Sequence, residues 1–226
     1  MTTEHMPEDA RLLGLPPDAF DRVDNTPDSV FYESARLVTH IDDRAIAAVT
    51  QLYRELFPPG TAIVDLMSSW VSHLPPEAAY RRVVGLGMNQ AELAANPRLD
   101  ERIVQDLNER PELPFGDGEF DGAAICVSVQ YLRRPLAVLR DVARILRVGA
   151  PLAITFSNRC FPTKAVAIWR MLDDAGHLRL VERYLQVAGG WKPIERLDRG
   201  RRDATGDPLF AVVAWRAAGG AAARRY

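Results

Sequence analysis

Cysteine is nearly absent: the chain of 226 residues has two, Cys126 and Cys160. They lack Cys-x-x-Cys spacing, which argues against a disulfide framework and against a cysteine zinc site. Both fall near the ends of expected buried strands and read as free thiols; no metal is expected. Lysine is as scarce, with Lys164 and Lys192 against a combined Lys and Arg count of 28. Arginine therefore carries nearly all positive charge, and a net charge of −2 implies no general polyanion-binding surface. No apolar run approaches the roughly 20 residues of a membrane span. Met1 to Ala10 is polar and acidic, without a signal-peptide apolar region, so a cytoplasmic location is the expectation. No internal repeat or low-complexity tract occurs. A Gly-x-Gly-x-x-Gly turn and a Tyr-x-x-x-Lys pair are also missing, which ranks a nucleotide-dependent oxidoreductase last.

What is present is ordinary globular composition, 47% hydrophobic and 26% charged, with a clear alternation of elements. Residues 1–29, rich in Pro, Asp and Glu, read as a loosely held arm. Residues 30–59 read as a helical cap: Ile41, Ala45, Ile46, Val49, Leu52 and Leu56 recur at helical spacing until Pro58-Pro59-Gly60. Residues 60–217 form the main domain and 218–226 a frayed tail. Short apolar runs at 62–66, 82–86, 103–107, 123–129 and 152–156 predict strands. Helical spacing between them is clearest in Leu136, Leu139, Val142, Ala143 and Leu146, before Gly149. Alternating strands and helices imply right-handed crossovers and a parallel sheet. Residues 165–187 predict one long helix. Strands then follow at 191–197 and 209–215 with only a polar loop, 198–207, between them, so if neighbours they run antiparallel. In that loop Arg199, Arg201 and Arg202 are diluted by Asp198, Asp203 and Asp207 and read as a solvated turn. The fold class is therefore α/β, a doubly wound Rossmann-like sheet of seven strands. It is mostly parallel, with an antiparallel C-terminal strand and N-terminal cap helices.

Ligands of open α/β sheets bind at the carboxyl ends of the strands. Asp65, Met67, Ser68 and Ser69 follow the first strand; Gly87, Met88 and Asn89 the second; Asp106 and Leu107 the third; Val127, Ser128 and Gln130 the fourth; Asn158, Arg159 and Cys160 the fifth. Any soluble sheet also puts polar residues at its strand ends, so position alone leaves both readings open. Between the third and fourth strands stands Gln105-Asp106-Leu107, then Leu113-Pro114-Phe115 and Phe120-Asp121. After the fourth comes a helix ending Arg144-Ile145-Leu146-Arg147-Val148-Gly149. In order and spacing, residues 60–157 resemble the class I S-adenosylmethionine-dependent methyltransferases, especially the broad type 11 small-molecule group. The segments 64–75 and 156–164 look like an uncharacterised bacterial branch of it.

The resemblance implies a set of roles. Asp65 orders the loop around the methionine part of S-adenosylmethionine, Asp106 accepts from the adenine amino group, and Leu107 offers its N–H to the ring. Val127, Ser128 and Gln130 lie beside the methyl sulfonium, while Phe115 and Phe120 pack the loop. Two departures stand out. The family's Asp-x-Gly-x-Gly loop has Met67 and Ser69 at its glycine positions, with serines able to bind a carboxylate at the start of a following short helix. Gly87 replaces the acidic residue that chelates the ribose, leaving Asn89 as a neutral substitute.

Tyr32, Arg36 and His40 are spaced four apart and predict one helix face. As a lid, that face pairs Arg36 with the cofactor carboxylate and offers His40 as a base. As simple packing, it pairs with Asp42 and Asp43. His73 and His177 read as structural and surface residues. Tyr32, Asn158 and Arg159 are candidate acceptor contacts. The function expected is methyl transfer to a small-molecule acceptor by in-line displacement, yielding S-adenosylhomocysteine. The alternative is a catalytically degenerate binding module or partner subunit. The Asn/Asp-Pro-Pro-Tyr/Phe signature and a basic groove are both missing, which argues against nucleic acid and protein substrates; a monomer or homodimer is expected.

Overall fold

The computed structural model describes residues 6–200 and 206–219. Seven strands form one sheet: β1 (Ala62–Ser68), β2 (Arg82–Gly87), β3 (Glu101–Val104), β4 (Gly122–Cys126), β5 (Pro151–Phe156), β6 (Trp191–Asp198) and β7 (Phe210–Arg216). Their order is β3-β2-β1-β4-β5-β7-β6. All pairs among β1 to β5 are parallel, and β7 is antiparallel to both neighbours. This is the sheet expected, because residues 198–207 are too few and too polar to supply a crossover helix. The order reverses at β1 and β4, so the ligand crevice of such a sheet opens above the ends of these two strands.

The helices are α1 (Glu8–Leu13), α2 (Asp28–Phe31), α3 (Asp43–Leu56), α4 (Gln90–Ala95), α5 (Pro135–Ile145), α6 (Ala167–Met171) and α7 (Asp174–Ala188). On one face of the sheet, Leu136, Leu139 and Val142 of α5 and Val181 and Leu185 of α7 pack in one apolar cluster with Val64, Ile125 and Ile154. On the other, Ala45, Val49 and Tyr53 of α3 cluster with Ile63, Ala124 and Ala153.

Four expectations change. The described part of the expected arm, residues 6–29, packs on the sheet: Ala10 and Phe20 are buried in the first cluster, and the Asp9 carboxylate accepts the Leu136 N–H at 2.8 Å; residues 1–5 lie outside the described residues. The helix expected from residue 30 starts at Asp43, because the Asp42 side chain caps it by accepting from the Arg44 and Ala45 N–H groups. Residues 32–42 are therefore irregular, and Tyr32, Arg36 and His40 do not share a helix face. The long helix over 165–187 is two, since the Asp173 carboxylate caps α7 through the Gly176 N–H. Finally, no helix joins β1 to β2; residues 69–81 cross in irregular backbone through Pro75-Pro76. The serines of the first loop thus stand at no helix N-terminus. Residues 201–205, with Arg201, Arg202 and Asp203, and residues 220–226 of the expected tail lie outside the described residues. Among those described, no helix is long and apolar enough to cross a membrane.

Candidate active site

The departures in the first loop have a backbone cause. β1 runs on to Ser68, which pairs with Gly87 after a register shift between Leu66 and Ser68. A Cβ on Gly87 would lie 2.1 Å from the Ser68 carbonyl oxygen. No side chain fits there, acidic or otherwise, so the missing acid at the end of β2 and the extended β1 are one feature. Met67, at the family's glycine position, still has a left-handed φ of 55°, as a glycine would adopt freely. Val127, past the end of β4, has φ 42°, an outlier for a β-branched residue that packing must hold in place.

Above these strand ends lies a cavity of about 280 Å³. Asp65, Met67, Ser68 and Ser69 line it from β1, Gly87 and Met88 from β2, Asp106 and Leu107 beyond β3, and Val127 and Ser128 beyond β4. Tyr32, Arg36 and His40 close it from the irregular cap, and Arg159 and Cys160 from the loop after β5. The structure thus gathers most of the expected residues, although the helix expected to present three of them does not exist. His73 lines the cavity too, while His177 is buried, its Nε2 2.8 Å from the Trp169 carbonyl oxygen.

Three expected residues stand apart. Asn89 caps α4: its Oδ1 accepts the Glu92 N–H, and its Nδ2 donates to the Tyr32 and Glu33 carbonyls at 2.8 and 3.0 Å. Both ends of its amide are engaged in the cap, and it does not line the cavity. Gln130 is buried and donates to the Val127 carbonyl at 2.9 Å; it supports the strained turn from behind the cavity wall. Asn158 is exposed and outside the cavity, its side chain near the Ser157 hydroxyl.

Glu92 is the principal residue that sequence reasoning missed. It is buried and lines the cavity, accepting the Arg36 N–H on Oε1 at 2.7 Å and the Ser69 hydroxyl on Oε2 at 2.6 Å. It therefore ties the cap to the loop after β1. The signal was available: Asn89-Gln90-Ala91-Glu92 has the spacing of a helix-starting cap. Trp70 adds a second tie by donating to the Val38 carbonyl at 3.0 Å. Cys126 lines the cavity, and burial pushes its thiol up to about 11, making it inert at neutral pH.

The charges are graded. Burial raises the Asp65 carboxyl to about 6, opposed by its bond from the Ser68 hydroxyl at 2.6 Å. Burial also raises Asp106, opposed by the Asn108 N–H at 2.8 Å. Desolvation lowers the His40 imidazole below its ordinary range; Glu92 opposes this and Arg36 reinforces it. The Arg36 guanidinium lies over the Phe31 ring at 4.6 Å and near Phe161 at 5.5 Å. One of its nitrogens, Nη2, donates to the Phe31 carbonyl. Its Nη1 and the Ser128 hydroxyl are buried without a hydrogen-bond partner among the described residues. Such orphaned donors in a cavity wall call for an acceptor from a ligand.

A sheet of this order, with its antiparallel β7 and a cavity over β1 and β4, is that of the class I S-adenosylmethionine-dependent methyltransferases. Residues 68–154, from the end of β1 into β5, match the family model described as a methyltransferase domain. The chain thus shares the fold of that class, and its central segment is similar to a methyltransferase domain. A curated relative, the biotin biosynthesis bifunctional protein BioHC of Teredinibacter turnerae, is 30% identical over 78 residues, covering 34% of this chain and 14% of that protein. The chain thus matches only a small part of that relative's length. Among solved structures, the S-adenosylmethionine-dependent methyltransferase from Mesorhizobium loti is similar with TM-score 0.51 and 15% identity, covering 75% of this chain and 98% of that one. The [4+2]-cyclase SpnF gives 0.56 at 16% identity, over 76% and 80% of the two chains. The Haemonchus contortus phosphoethanolamine N-methyltransferase 2, in complex with phosphomonomethylethanolamine and S-adenosylhomocysteine, gives 0.56 at 12% identity, over 77% and 52%.

Proposed function

We propose that the chain transfers a methyl group from S-adenosylmethionine to a small-molecule acceptor. The observation that carries this reading is convergence. Asp65, Asp106, Leu107, Val127 and Ser128, from separate strand ends, line one cavity with Arg36, whose Nη1 has no hydrogen-bond partner among the described residues. The residues fit the donor molecule: a carboxylate suits Arg36 Nη1, and an adenine amino group suits Asp106, beside the Leu107 N–H. Asp65, Met67, Ser68, Ser69, Gly87 and Met88 are assigned to the methionine and ribose side of the cavity. Bound there, S-adenosylmethionine supplies an electrophilic methyl on a good leaving group, so alignment and exclusion of water are the protein's main tasks.

The cap and the loop after β5 perform those tasks. Tyr32 and Arg159 face the acceptor, and Glu92 of α4 and Trp70 after β1 hold the cap down. His40, neutral at pH 7 because its pKa is lowered, takes the proton of an oxygen or nitrogen acceptor.

Titration calorimetry with S-adenosylmethionine and S-adenosylhomocysteine tests the reading. Binding is expected, and Asp106→Ala should weaken it by about 1–3 kcal/mol. No binding at millimolar concentrations would sink the proposal. The second reading, a domain that binds cofactor without methyl transfer, is favoured by the acid-free end of β2. If the chain binds cofactor but no acceptor in a small-molecule panel releases S-adenosylhomocysteine, that reading prevails.

A further inference from the structure

The Asp106 loop is tied to residues 22–28 by a buried ionic cluster. The Asp28 carboxylate accepts from Arg22 Nη1 at 2.8 and 2.9 Å, and Lys164 Nζ lies 3.4 Å from it. These side chains are 5%, 4% and 0% exposed. Lys164 Nζ also donates to the Thr26 carbonyl at 2.6 Å and sits 3.4 Å from Asp24 and 5.0 Å from the centre of the Phe31 ring. So one of the chain's two lysines is wholly buried as an anchor for residues 24–31. Breaking one partner of such a cluster leaves an uncompensated buried charge, so the segment is held firmly.

Asn108 joins this anchor to the cavity. Its Nδ2 donates to Asp28 Oδ2 at 3.0 Å and to the Tyr131 carbonyl at 3.1 Å. Its Oδ1 accepts the Arg133 N–H at 2.7 Å. Its own N–H donates to Asp106 Oδ1 at 2.8 Å. Both ends of its amide thus have protein partners, and its link to Asp106 is direct. We propose that Asn108 and Asp28 are positioning residues that set the Asp106 carboxylate, making residues 22–31, which precede the methyltransferase match, an integral wall of the cofactor site. This rests on the reading of Asp106 as a cofactor contact.

The test is a double-mutant cycle read by calorimetric binding of S-adenosylhomocysteine, at a temperature well below each variant's melting midpoint. Asn108→Ala and Asp28→Asn should each weaken binding about tenfold. In an Asp106→Ala background, Asn108→Ala should change the dissociation constant by less than about twofold, because its route to the ligand is already gone. Wild-type affinity in both single variants overturns the proposal. So does an undiminished tenfold loss in the Asp106→Ala background, which would mark general packing. Failure of the wild-type protein to bind overturns the cofactor reading itself, and this proposal with it.

Discussion

At the residue scale, Asp65 shows how a site residue weighs on stability. Its carboxyl titrates near about 6 in the folded chain because of burial, against about 3.9 in an unfolded one. Between those values the folded state binds more protons than the unfolded state. Stability from this group therefore falls as pH rises from about 4 to 6, and the full cost is present above that window. The two values put the cost at neutral pH at roughly 3 kcal/mol. Asp65→Asn, which keeps the shape without the charge, should remove it. Urea denaturation at acidic and neutral pH checks this: the variant should gain on the wild type as pH rises. Retaining a residue this costly fits a role in ordering the loop around a ligand.

At the element scale, the pairing of β1 with β2 governs the site's unusual chemistry. Because Ser68 continues the β1 ladder opposite Gly87, its carbonyl occupies the space of any side chain there. Backbone in a paired strand cannot swing aside as a flexible side chain does. Gly87→Ala should therefore cost about 1–3 kcal/mol by overpacking. Gly87→Asp, which restores the family's acidic residue, should cost at least as much. Thermal denaturation of the two variants measures both, and wild-type melting of Gly87→Asp would show that β1 can retreat. The cap obeys the same logic of local satisfaction. Asp42 starts α3, and Asn89 starts α4 while holding residues 32 and 33. The polar side chains at these helix starts thus place the segment that carries Arg36 and His40.

At the scale of the whole molecule, the cavity wall is drawn from separated stretches: the cap, the ends of β1 and β2, and the loops after β3, β4 and β5. A ligand held there bridges nearly all of the parallel sheet and should report on global unfolding. S-adenosylhomocysteine at a hundred times its dissociation constant should stabilise the fold by about 2.7 kcal/mol. For a chain of this size that raises the melting midpoint by roughly 5–10 °C. Differential scanning fluorimetry would show it, and an unshifted midpoint under that ligand concentration would mean that the ligand does not bind the folded state in preference to the unfolded one.

The sheet is legible in the sequence. Apolar runs of strand length, alternating with the helical spacing of Leu136 to Leu146, leave few topologies, and the polar link between the last two strands dictates their antiparallel sense. That Asp65, Asp106 and Val127 meet at one cavity was legible for the same reason, since periodicity breaks at strand ends. That Asn89 caps α4 and holds residue 32 was not legible, because an asparagine suits a ligand and a helix cap equally, and the Glu92 N–H and Tyr32 carbonyl are placed by tertiary packing. The helix expected to carry Tyr32, Arg36 and His40 was likewise overruled by a cap at Asp42, yet all three reach the cavity. Sequence by itself determined the order of elements and the end of the sheet where the cavity opens, because burial imposes period and length on each segment. Only the tertiary structure decided that Ser68 closes the end of β2, that Glu92 latches the cap, and that Lys164 is buried. Each depends on contacts between residues distant in the chain, which local pattern does not encode.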